Sequence, residues 1–166
     1  MNPVQRETVV PDLPSQKEDI AMDLEVGLKG YEELLVSEKD LASFAGNVGV
    51  DVLSTHRVVL LMELAARNAI VGRIPEGKIT LGTHIDIRHL AAASPGVRVC
   101  AEAELTAIQG RRLIFHVVAF DPVEKLAEGE NEQIIVSLEA FKNRARRKME
   151  TPWRSRGCAG LGLPMR

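Results

Sequence analysis

Thr55, Glu63 and His89 are the side chains of this sequence whose types and spacing could do chemistry together: a hydroxyl, an acid and a base. Thr55 follows Ser54 at the head of the apolar run VVLLMELAARNAI, which Glu63 interrupts, and His89 stands in LGTHIDIRHLAAASPG some twenty residues further on. A carboxylate in an apolar run must be paired, hydrogen-bonded or protonated. An imidazole held near a hydroxyl is the usual arrangement for moving protons at an acyl carbon. Each residue also has a structural explanation. Glu63 has Arg67 four residues later, in the favourable orientation for a helical ion pair. Thr55 can be a helix N-cap. His89 can be a core or rim histidine, and His56, beside Thr55, is a rival base.

These side chains need elements to position them. The segment from about His56 to Val71 reads as a helix capped by Ser54 or Thr55, apolar on nearly every side and therefore buried by surrounding structure. Eight residues separate Thr55 from Glu63, placing them about 80° apart around the axis, so they could line one groove. A helix start also offers free amides and a positive dipole that can polarise a carbonyl. Before the helix a strand is expected at Gly30 to Val36, then a helical turn from Asp40 to Phe44 and a glycine-containing loop. After it, strands are expected at Lys78 to Leu90, Val97 to Gln109, Arg112 to Asp121 and Lys125 to Leu138. Ser94-Pro95-Gly96, Gly110 and Asp121-Pro122 break these strands. Alternation in the first of them puts His89 on one face with Leu81, Ile85 and Ile87, opposite His84 and Arg88. Gly82 lies inside that strand, where a close approach or a bulge would explain it. A basic helix from Leu138 to Lys148 closes the pattern.

One long apolar helix with one strand before it and four after makes an α+β architecture. Its antiparallel sheet wraps around the central helix, the layout called a hotdog fold. Its open edges would be covered by pairing two copies across a two-fold axis. The 166 residues suffice for one domain. Residues 1–26 read as an arm, 27–148 as the domain and 149–166 as a flexible tail.

A 45% apolar and 27% charged composition is that of an ordinary globular protein. No run approaches the roughly 18 apolar residues of a membrane span. The N-terminal segment lacks the basic and apolar regions of a signal peptide, so a cytoplasmic protein is expected. A net charge of -2 offers no global attraction to nucleic acid. The cations nevertheless crowd one end, at Lys142, Arg144, Arg146, Arg147, Lys148, Arg154 and Arg156. Such a run reads first as a solvated helix face or tail, with the holding of a polyphosphate as the alternative. Cys100 and Cys158 have no Cys or His neighbour at metal-ligand spacing and read as structural.

Four segments, STHRVVLLMELAARNAI, PEGKITLGTHIDIRHLAAASPG, GRRLIFHVVAFD and Gly129-Glu130-Asn131-Glu132, together resemble the fluoroacetyl-CoA thioesterase family of hotdog proteins from about Gly27 to Lys148. The resemblance implies hydrolysis of a small or medium acyl-CoA thioester to free acid and CoA, with Thr55, Glu63 and His89 as the catalytic set. It implies Gly82 near the thioester, with Ser54 and His56 beside Thr55 as further substrate contacts. It further implies a site at a dimer interface, in a homodimer or a higher oligomer, with no metal and no cofactor besides the CoA thioester substrate. The fluoroacetyl-specific member carries an aromatic lid residue where this chain has Gly49, and an arginine where it has Gln133. General acyl-CoA hydrolysis is therefore expected rather than fluoroacetyl selectivity. The alternative is a non-hydrolytic acyl-CoA binding or sensor protein using the same pocket.

Overall fold

The computed structural model describes residues 23–150. The segments expected as an arm and a tail lie outside the described residues except at 23–26 and 149–150. The elements run β1 (Lys29–Leu35), a 3-10 turn (Glu38–Asp40), α1 (Thr55–Asn68), β2 (Lys78–His89), β3 (Arg98–Gln109), β4 (Arg112–Phe120), β5 (Lys125–Ser137) and α2 (Leu138–Glu150). Every strand pairing is antiparallel, and the spatial order is β1-β3-β4-β5-β2. This is the expected α+β arrangement of a sheet curled against one helix. No helix among the described residues is long and apolar enough to cross a membrane.

Alternation in the middle strands builds the core. Val99, Ala101, Ala103 and Leu105 of β3 and Leu113, Phe115, Val117 and Ala119 of β4 are fully buried. Val58, Leu61, Met62, Ala65 and Ala66 of α1 are buried with them. The small residues let the helix come close. A Cβ on Gly30 of β1 would fall 2.3 Å from the carbonyl oxygen of Ala65, so only glycine admits the helix backbone there. Gln109 and Arg112 pair across a two-residue hairpin loop in which Gly110 takes φ +61°, a conformation glycine adopts without strain.

Three expectations need correction. The helix is not enclosed on every side: the sheet covers one face, and Leu60 remains 37% exposed on another. The helical turn forms earlier than expected, at Glu38–Asp40, because Ser37 and Asp40 make a capping box. Finally, Leu81 does not share a face with His89. The register of β2 against β5 slips between Gly82 and His84, a one-residue bulge at Thr83. Gly82 pairs with Gln133, Ile85 with Asn131 and His89 with Ala127, and these three β5 partners alternate along one buried face. The bulge thus turns Gly82 and His89 to the same side, where strict alternation would oppose them.

Candidate active site

The start of α1 is held by a buried carboxylate. Asp40 is fully buried. Its Oδ2 accepts hydrogen bonds from the Ser37 amide at 2.9 Å and the Ser37 hydroxyl at 2.5 Å. Its Oδ1 is ion-paired with Arg57 Nε at 2.7 Å. Its main-chain carbonyl accepts both the amide and the hydroxyl of Ser54 at 2.9 Å. Burial works against the charged form of Asp40, but the Ser37 donors and the Arg57 guanidinium outweigh it and hold the carboxyl below its ordinary value of 3.8. A carboxylate so depressed adds stability that is fully present above its unfolded-state value and is lost as pH falls through the folded-state value. We expect Asp40→Ala to cost about 3 kcal/mol or more by leaving Arg57 unpaired at a half-buried site. Chemical denaturation across an acid pH series checks this: the variant should lack the part of the wild-type decline that Asp40 protonation causes.

This anchor decides what Thr55 does. Ser54 holds the N-cap position, although its hydroxyl donates to Asp40 and caps no first-turn amide, and Thr55 is the first helical residue. Thr55 Oγ1 lies 3.0 Å from His89 Nδ1. The other ring nitrogen, His89 Nε2, is buried and has no partner among the described residues. With the Thr55 hydroxyl donating to Nδ1, the proton of a neutral ring sits on Nε2. In the other tautomer Nδ1–H donates to Thr55 and Nε2 is the free base. Either state leaves a ring nitrogen without a protein partner among the described residues, beside the start of a helix whose first amides have no intrahelical partner.

Glu63 lies two turns further along, about 12 Å in helix rise from Thr55. Its Oε1 accepts a hydrogen bond from Arg67 Nη2 at 3.1 Å. With side chains 29% and 46% exposed, that ion pair contributes at most about 1 kcal/mol. Two other contacts fix the position more firmly. A Cβ on Gly82 would stand 3.2 Å from Glu63 Oε1, so the carboxylate fills the space beside the glycine. Beneath it Gln133, 1% exposed, donates Nε2–H to the Glu63 carbonyl at 3.4 Å and to Asn131 Oδ1 at 3.0 Å. We expect Gly82→Ala to push the carboxylate aside and lower kcat about tenfold or more. Steady-state kinetics alongside thermal melting would show the rate loss with Tm changed by a few degrees at most.

One chain therefore brings together two pairs, Thr55 with His89 and Glu63 with Gly82, rather than one touching triad. Ser54 is buried and its hydroxyl is donated to Asp40, which takes it away from the substrate-contact role expected for it. His56 is exposed on the first turn, with no hydrogen bond to another described residue. Sequence reasoning missed Asp40, Arg57 and Asn131, and saw Gln133 only as a replacement. The Ser37-x-x-Asp40 spacing was the available signal for Asp40, since it is a capping-box pattern. Cys100 is half-buried, and burial with the nearby Glu33 and Glu102 carboxylates pushes its thiol up, away from reactivity. Cys158 lies outside the described residues.

Known structures share this fold. A thioesterase superfamily member from Thermus thermophilus superposes with a TM-score of 0.69 at 30% identity, covering 76% of this chain and 96% of that one. A hot-dog-like protein from Thermanaerovibrio acidaminovorans gives 0.69 at 24% identity over 74% and 91%, a likeness of fold alone. The molecule is a hotdog-fold thioesterase. A family model described as fluoroacetyl-CoA-specific thioesterase matches residues 36–139. The fluoroacetyl-CoA thioesterase of Streptantibioticus cattleyicolor is 38% identical over 98 residues, 59% of this chain and 70% of that protein. A mutant of that type of thioesterase, solved in complex with acetyl-CoA, superposes with a TM-score of 0.70 at 31% identity, covering 75% and 98%. This chain belongs to the fluoroacetyl-CoA-specific thioesterase family.

Proposed function

We propose that this protein hydrolyses small or medium acyl-CoA thioesters as a homodimer, with Thr55, His89 and Glu63 as the catalytic groups. The observation that carries the reading is the Thr55 hydroxyl at 3.0 Å from His89 Nδ1, at the first residue of α1. In this reading the first amides of α1 and the Thr55 hydroxyl polarise the thioester carbonyl. Glu63 and His89 take the proton of a water, whose oxygen adds to the carbonyl carbon. The C–S bond then breaks, the electron pair leaves with sulfur, and the proton passes to the CoA thiolate. The acid and CoA are the products.

The separation of the two pairs supports a site shared between subunits. Strand β2 is a sheet edge of twelve residues carrying both Gly82 and His89. An exposed edge of that length invites a partner. Two-fold antiparallel pairing of β2 with its copy would set the His89 end of one chain toward the Gly82 end of the other. The test is release of free thiol from a panel of acyl-CoAs, from acetyl and fluoroacetyl to long-chain and aryl, by enzyme whose mass in solution is measured alongside. Turnover of several short acyl groups by a dimer fits the reading. Binding of CoA thioesters without thiol release would favour the sensor alternative, and a monomer with full activity would remove the shared site.

A further inference from the structure

Asn131 and Gln133 of β5 are carboxamides set in the apolar core. They are 2% and 1% exposed, and their partners in the β4 register, Phe115 and Leu113, are fully buried. The buried Gln133 Oε1 has no hydrogen-bond partner among the described residues. A buried polar atom without a partner is destabilising, so a methionine or leucine would suit this place better for packing alone. Packing therefore gives no reason for the pair. Its hydrogen bonds do. Asn131 Nδ2 donates to the His84 carbonyl at 3.5 Å, immediately after the bulge at Thr83, and Asn131 Oδ1 accepts from Gln133 Nε2 at 3.0 Å. Gln133 Nε2 also donates to the Glu63 carbonyl at 3.4 Å. The contacts run without a break from the bulge of β2 to the turn of α1 that carries Glu63.

Side-chain hydrogen bonds hold α1 to the sheet at its start, through Thr55 and His89, and at its end, through Asn68 to Tyr31 and Glu32. Between these points Gln133 makes the tie, at Glu63 itself. The neighbouring contact of α1 is made by buried Leu61, Met62, Ala65 and Ala66, and apolar contact is non-directional. Gly82 is the cross-strand partner of Gln133, and a Cβ on Gly82 would stand 3.2 Å from Glu63 Oε1. Two adjacent strands therefore act on one residue: the glycine admits the carboxylate, and the glutamine fixes the backbone that carries it. A displacement of about 1 Å in a reacting group is enough to cost a large factor in rate.

We propose that Gln133, held by Asn131, is a positioning residue that sets Glu63 for proton transfer. This rests on the role given to Glu63 above. In the full-length protein, Gln133→Met should lower kcat for a short acyl-CoA about tenfold or more with KM little changed. The paired variant Asn131→Val with Gln133→Met replaces both carboxamides, so that neither is left unpaired, and should show the same loss with a Tm close to wild type. The decisive measurement repeats Gln133→Met in the Glu63→Gln background. A residue that acts through Glu63 has little left to lose there, so the further fall in kcat should be no more than about twofold. Equal falls in both backgrounds, or no fall in either, would overturn the proposal. Position is also read without turnover, from the carboxyl carbon resonance of Glu63, assigned by its absence in Glu63→Gln. That resonance should shift or broaden in Gln133→Met, and an unchanged one would equally overturn the proposal. A wild type that releases no thiol, with the resonance still moved by Gln133→Met, would refute hydrolysis and leave the positioning of Glu63 standing.

Discussion

Glu63→Gln is expected to lower kcat for acyl-CoA hydrolysis by about two to four orders of magnitude while leaving the protein folded. The amide is nearly isosteric, so it still fits beside Gly82, where the space between side chain and backbone is only 3.2 Å to a would-be Cβ. It can still accept from Arg67, and the exposed ion pair it replaces contributes little. What the amide cannot do is take a proton from water. Steady-state kinetics should therefore show the loss in kcat with KM changed little, and thermal melting should show a Tm close to wild type. A variant that kept wild-type kcat would reduce Glu63 to the ion-pair partner of Arg67.

His89→Ala is expected to produce a loss of similar size by a different route. It removes the group 3.0 Å from the Thr55 hydroxyl, whose other ring nitrogen is buried without a partner among the described residues. Thr55 stays in place, because Ser54 and Asp40 fix the helix start independently of the imidazole. The polarising amides therefore remain, and some rate above the uncatalysed reaction should survive. Small imidazoles added to the assay should restore part of the activity if His89 carries protons. Absence of rescue together with an altered fold by circular dichroism would mean that the residue only fills the end of β2.

The order of elements was legible because α1 has a cap residue and an apolar run, and the later strands alternate between clear turn residues. Their ends agree with the structure to within one to three residues. The faces of β2 were less legible. Strict alternation from Leu81 to His89 ignores the bulge at Thr83, and a bulge is set by pairing with β5 rather than by local sequence. The bulge explains how Gly82 and His89, seven residues apart, both turn to α1. The choice between Ser54 and Thr55 as cap could not be made from the sequence, since both hydroxyls suit the position. It was decided by Asp40, a residue fourteen positions away that binds Ser54 and leaves Thr55 for His89. Gln133 and Asn131 lie in phase with Ile135 along β5, so their burial was implied by alternation. Their service to the Glu63 carbonyl was not, because it depends on how closely α1 crosses the sheet.

The most direct test of hydrolysis pairs two readouts on purified wild type and Glu63→Gln: thiol release from a short-chain acyl-CoA, and affinity for a thioether analogue that cannot be cleaved. Both proteins should bind the analogue with similar affinity, and only the wild type should release thiol at a catalytic rate. Equal affinities with no thiol release by wild type, or equal release by both proteins, would contradict this.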